Sequence, residues 1–598
     1  TLGAIIGVWL AVQWLLPLTG LKNAIMAGAA LDLVLGIYLL ARSQATMPIQ
    51  RTAILVSLLA LVAVSLGTSF DSKRMASGVF RTGDILSLNV VSHKDGHTAT
   101  IDVYDMGQDT RVISTNGKPD ASVRMHGSYS PSEDEPTMVL LGGLPLLLNP
   151  QTQTAAVIGM GSGISANVML ASPTLQSLDI IEIEAAMVES ARLFGKHSER
   201  VYNDPRSHIH IDDAKSYFAS HRKQYDVIIS EPSNPWVSGV ANLFTDEFYA
   251  RIRHYLHDDG YLVQWFQLYE TNPEIISSIL KALGPHFEDY RIYAATEVDM
   301  VLVARKHGKV APLNAAALDN PALRQHFERV QWLSPDDIAF HEVGDRVLLE
   351  PLFLTTDSPA NSDFFPYVDQ HAVKARFLRE DFGLLSSLRS EGLPLPGTNF
   401  MGTLHPSPNA TPIMFNLRNE AQMAQRIAQY YRSTTRIALP AGLSPLLQRA
   451  ITITNTSPQC QDDTSQALWR EQAAMLMGKT LPYISPADAQ PMLDALETRL
   501  CPEALASKAM LEVYRALARR DMPAVISASM AYFARGPYPP DFAQQHIYNA
   551  YLLALGLTGQ HEQVVQLVEK MGPRPNPVMA LIAAQAKVAL YRQRLQQP

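Results

Sequence analysis

The residues best suited to chemistry are three glycines and a carboxylate. Gly159, Gly161 and Gly163 follow the apolar stretch AAVI, and a helical pattern begins at once. Glycine in such a place lets the backbone turn sharply and approach a ligand that a Cβ would hold off. Glu182 lies 19 residues after Gly163, at the end of a second apolar stretch. A carboxylate there can accept hydrogen bonds from both hydroxyls of a ribose. A dinucleotide site would use G-x-G-x-x-G, but Ile164 occupies the third glycine position here. The spacing therefore favours a nucleoside of the S-adenosylmethionine type. Asp212 and Asp213 close a later stretch, IHIDD, where Asp213 could accept the adenine amino group. Two loop acids in water fit the same residues.

These groups need a scaffold that brings strand ends together. From 155 to 269 apolar runs of strand length alternate with helical patterns, the mark of a parallel sheet covered on both faces. Ahead of it, 85–119 reads as a small antiparallel β unit, with KDG, MGQD and NGK as turns. A polar loop over 127–136 and an apolar run over 138–148 follow. Beyond about 381 the pattern is helical, and hairpins centred on ARRDMPAV and GLTGQHEQVV recur about 39 residues apart, looser than the ~34 of tetratricopeptide repeats. An irregular helical bundle fits the tail as well. The expected fold class is α/β, a Rossmann-like parallel sheet of the S-adenosylmethionine type. Its expected parts are membrane helices over 1–72, the β unit over 85–150, the nucleoside domain over 151–380 and a helical, tetratricopeptide-like region over 381–598.

The membrane assignment rests on three apolar segments, 3–19, 24–41 and 53–70, each about the ~17–20 residues that cross a bilayer core. Asp32 sits inside one of them, where a carboxylate normally faces a partner or a cavity. Arg42 and Arg51 lie on one side, against Lys22, Lys73, Arg74 and Arg81 on the other. That asymmetry places a multi-pass protein in the cell inner (plasma) membrane with its soluble portion in the cytoplasm. The chain opens at Thr1 inside an apolar run, which suggests the end of a larger membrane domain. The net charge of -8 argues against general nucleic-acid binding. Two cysteines, Cys460 and Cys501, are too few for a disulfide scaffold or a cysteine metal site, and whether they pair stays open. The 17 histidines form no H-E-x-x-H set, so no metal is expected.

In order and wording, IGMGSG, IEIE, DDA, YDVIISEPSNP and NLFTDEFY resemble the motifs of the spermidine synthase (polyamine aminopropyltransferase) family, in a membrane-fused variant. The similarity covers roughly 85 to 300. It implies that Gly159, Gly161 and Gly163 cradle the amino-acid end of the donor, Glu182 the ribose and Asp213 the adenine. Glu231 falls where that family has its catalytic aspartate, and Asn234 where it has a second substrate-binding aspartate. Asn234 removes one negative charge and some attraction for a polycation. Thr137 and Met138 lie about where the family has a tyrosine and a histidine that contact the amine.

The resemblance thus implies a transferase that takes decarboxylated S-adenosylmethionine, or S-adenosylmethionine itself, as donor and an amine as acceptor, with Glu231 orienting or deprotonating the nucleophile. An S-adenosylmethionine-dependent methyltransferase would use the same pocket. So would a catalytically weak sensor or assembly protein whose helical C-terminal region binds a protein partner.

Overall fold

The computed structural model describes residues 2–43, 46–107, 109–126, 130–388, 392–393, 395, 404, 407, 417–433, 438–536, 540–571 and 577–596. The start of the expected 127–136 loop falls outside them. Two compact units share the chain: 1–142 with 153–223, and 143–152 with 224–598.

The first unit begins with two helices long and apolar enough to cross a membrane, α1 (Leu2–Ala41) and α2 (Met47–Gly67). The first two expected segments therefore lie in one helical run, which Gly20 interrupts at φ 78° and ψ 165°. Leu21, the first residue after the break, donates its N–H to Asp95 Oδ2 at 2.8 Å. Asp32 is exposed on α1.

Asp95 ends the first strand of the β unit, whose strands β1 (Asn89–Asp95), β2 (Thr100–Met106), β3 (Thr110–Thr115) and β4 (Lys118–Arg124) pair antiparallel in that order. The NGK signal closes the β3–β4 hairpin as expected. Asn116 and Gly117 take φ 51° and 76° between the paired Thr115 and Lys118, the twist a two-residue hairpin favours. Ala76, Leu88, Tyr104 and Val112 form a small core beneath the sheet.

Helix α3 (Glu135–Leu148) leads to β5 (Thr154–Ile158), α4 (Ile164–Met169), β6 (Ser177–Glu182), α5 (Ala185–Ala191), β7 (Ser207–Ile211) and α6 (Ala214–Ser220). Strand β6 pairs in parallel with both β5 and β7. The carboxyl ends of all three therefore open on one edge, carrying Gly159, Glu182 and Asp212.

In the second unit β8 (Tyr225–Ser230) pairs in parallel with β9 (Leu256–Gln267), and helix α7 (Asp246–Tyr255) connects them. Next come α8 (Pro273–Leu283), β10 (Asp289–Ala294), β11 (Asp299–Arg305) and β12 (Glu342–Asp345). The last three strands join antiparallel, in the order β9-β11-β10-β12. The sheet is thus mixed where a parallel one was expected, and the β10–β11 pair is closed by a short connection over 295–298 that leaves no room for a helical crossover. Helix α9 (Tyr367–Leu378) follows, and from Leu417 to Gln596 the described secondary structure is helical. Both expected hairpins are present, Leu505–Ala518 with Met522–Phe533 and Phe542–Leu557 with His561–Met571. Cys460 and Cys501 form a disulfide, their Cα atoms 5.7 Å apart.

The architecture is therefore the Rossmann-like α/β class expected, with a small antiparallel unit, apolar helices ahead of it and an all-helical region after it.

Candidate nucleoside site

Gly159, Gly161 and Gly163 adopt φ of 85°, 51° and 82°, a region L side chains rarely enter. Gly159 donates its N–H to Ile181 O at 2.9 Å, so the loop starts in register with β6. Gly163 N donates to Met160 O at 2.8 Å and closes the turn before α4. Ser162 Oγ lies 3.0 Å from Met138 Sδ, which seats the loop on the first turn of α3.

Glu182 is buried, and two backbone N–H groups hold its carboxylate. Met160 N donates to Oε2 at 2.8 Å and Glu184 N to Oε1 at 2.9 Å. Burial pushes this carboxyl up to about 7, against the two N–H groups that favour its charge; the charges of Asp120 and Glu184 push the same way as burial. Each oxygen keeps a lone pair for a further donor. A diol offers two.

Asp213 is exposed and caps α6, its Oδ1 accepting from Ser216 N at 2.9 Å. Thr137 is buried, its Oγ1 without a hydrogen-bond partner among the described residues, and Met138 meets Ser162 of the loop; neither side chain carries a ring or a charge.

In the second unit Glu231 follows β8 and is half-buried. Asn234 is fully buried, and neither atom of its amide has a hydrogen-bond partner among the described residues. Unpaired buried amides are costly, and such groups at a strand's carboxyl edge suit a ligand. Trp236 stands next to them with the Arg376 guanidinium 4.3 Å from its ring centroid.

Two features escaped sequence reading. Residues 380–382 lie beside the carboxyl end of β9, through Thr271 N to Glu380 O at 3.1 Å and Phe382 N to Leu268 O at 2.8 Å. Glu270, in this stretch, takes φ 52°. The other is Glu184, whose carboxylate is gripped by the β1–β2 turn. Glutamate is not among the usual N-cap residues, so no capping signal in the sequence marked it. One group among the described residues brings possible metal ligands together, Cys460, Cys501 and Glu503, and its sulfurs are bridged to each other.

Residues 137–300 match the spermine/spermidine synthase domain. The polyamine aminopropyltransferase of Bacillus subtilis (strain 168) is 28% identical over 161 residues, 26% of this chain and 56% of that protein. That of Thermotoga maritima is 26% identical over 180 residues, 28% of this chain and 61% of that one. The chain thus spans little more than half the length of these relatives. A spermidine synthase in complex with the transition-state analogue AdoDATO shares 20% identity at a TM-score of 0.33, over 37% of this chain and 74% of that one. Human methyltransferase-like protein 13 in complex with SAH shares 21% identity at 0.25, over 33% and 93%.

Proposed function

From the premise that residues 137–300 are a spermine/spermidine synthase domain, we propose that this chain is a membrane-anchored aminopropyl transferase. The observation that carries the reading is Glu182, held by the glycine loop and by Glu184 N, with a lone pair left on each oxygen for a ribose. The donor is decarboxylated S-adenosylmethionine, with Gly159, Gly161 and Gly163 along its chain end and Asp213 at its adenine.

In the reaction the acceptor nitrogen attacks the aminopropyl carbon next to the sulfonium. A C–N bond forms, and the C–S bond breaks with its electron pair passing to sulfur, which leaves as a neutral thioether. The nitrogen loses a proton, and Glu231 orients the amine and receives that proton. Asn234 supplies an uncharged amide, so the acceptor is an amine of lower charge than a linear polycation. The apolar helices α1 and α2 hold the chain in a membrane, with the soluble portion on its cytoplasmic side.

The test is turnover: the full chain with donor and amine should release the methylthio nucleoside. Glu231→Gln should lower kcat by about 100-fold or more, with donor affinity within about two-fold. Full activity in that variant would remove Glu231 from the chemistry, whereas no turnover by the wild-type chain would favour a sensor or assembly role. A methyltransferase is the second reading, favoured by Asn234, Thr137 and Met138, which leave the acceptor side short of charge and aromatic contact. Transfer of labelled methyl from S-adenosylmethionine to an extract would support it.

A further inference from the structure

The carboxylate of Glu184 lies 3% exposed at the start of α5. Its Oε1 accepts from Ala186 N at 3.0 Å and caps that helix. Its Oε2 accepts from three donors on the turn between β1 and β2: Thr98 N at 2.7 Å, Thr98 Oγ1 at 2.9 Å and Ala99 N at 3.3 Å. A Cβ on Gly96 would collide with this carboxylate, so the turn closes on it with no space to spare. The contact joins residues 86 positions apart in the chain. The main-chain N–H of the same residue is the one aimed at Glu182 Oε1.

A cap on α5 needs one oxygen, and an aspartate, serine or threonine would supply it. The second oxygen instead ties the β1–β2 turn to the strand edge, with charge-assisted bonds that are roughly twice as strong as neutral ones. The peptide between Ile183 and Glu184 is then clamped from both ends: the side chain is fixed by the turn and the helix, and the N–H by Glu182.

We propose that Glu184 is a positioning residue through which the β1–β2 turn sets the orientation of the Glu182 carboxylate for the ribose of the nucleoside donor. This inference rests on the ribose role given to Glu182 above. Loosening the turn swings the 183–184 peptide and withdraws its N–H, which leaves the Glu182 carboxylate held by Met160 N alone and able to tilt away from the diol. The turn thus acts on donor affinity without touching the donor.

The experiment compares the full chain with Glu184→Ala and Thr98→Val. Hydrogen exchange is followed at 96–99 and at the Glu184 amide without ligand, and donor KM and kcat are measured with decarboxylated S-adenosylmethionine. Glu184→Ala should speed exchange at both places and raise donor KM about ten-fold, the cost of roughly one charge-assisted bond, with kcat within about two-fold. Thr98→Val keeps the cap on α5 and removes one donor, and should shift both in the same direction by less. If Glu184→Ala does not fold, Thr98→Val decides alone. Faster exchange at 96–99 with an unmoved Glu184 amide overturns the inference, as does an unmoved donor KM in both variants. Should the wild-type chain bind no nucleoside, the ribose reading fails by itself, and exchange at the Glu184 amide still reports whether the turn sets that peptide.

Discussion

Glu182 is where side-chain chemistry and fold meet most directly. Its folded carboxyl titrates near 7 against 4.5 for the free group. A raised carboxyl means the folded state holds its proton more tightly than the unfolded state. The contribution of this group to stability is therefore greatest below about 4.5, falls as pH rises towards 7 and levels off above it, by an amount on the order of 3 kcal/mol. Donor binding runs the other way, because a ribose donates to the ionised form. Calorimetric titration with the donor should show affinity rising between pH 6 and 8, and Glu182→Gln should flatten that rise. A pH-independent affinity in the wild type would mean that Glu182 does not meet the ribose. This residue and the three glycines were legible in the sequence, because a strand end, a tight loop and a 19-residue spacing all lie within one local stretch. Glu184 was not legible in its second role: its partner Thr98 lies on another element, and no spacing rule reaches across 86 positions.

Among the elements, the β3–β4 hairpin shows how far local rules carry. Asn116-Gly117 specified both the turn and its left-handed backbone, and a Cβ on Gly117 would also collide with the Met75 carbonyl oxygen. Gly117→Ala should destabilise the β unit by about 2 kcal/mol or more, seen as a lower urea midpoint; an unchanged midpoint would show that the turn is not under this constraint. Local rules placed a break after residue 19, where Gly20 does interrupt α1, but they failed to show that both flanks form one helical run. Helical periodicity runs on through a single glycine, and the group that meets the freed Leu21 N–H, Asp95, lies 74 positions away. They failed again at the antiparallel β10–β12 extension. Strands that are buried on both faces read alike whichever way they pair, so direction had to come from the connections.

For the whole molecule, the alternation of strands and helices, the apolar start and the helical tail were legible from composition and period alone. The Cys460–Cys501 bridge was not, since two cysteines 41 positions apart give no geometry until the helices between them are placed. Closing a loop of that size is worth about 4 kcal/mol on chain entropy alone. Disulfides persist in oxidising compartments, whereas the Lys/Arg asymmetry favours a cytoplasmic soluble portion. On the proposed cytoplasmic placement, acid-trapped cells should yield both cysteines as alkylatable thiols, with the bridge forming on oxidation. Recovery of the bridged pair from freshly trapped cells would contradict that placement and put the helical region on the other side. The central claim, aminopropyl transfer by a membrane-anchored nucleoside-binding domain, turns on the donor. Calorimetry on the full chain in detergent, titrated in parallel with decarboxylated S-adenosylmethionine and with S-adenosylmethionine, tests it most directly. The account predicts clearly tighter binding of the decarboxylated donor; equal or tighter binding of S-adenosylmethionine would contradict it.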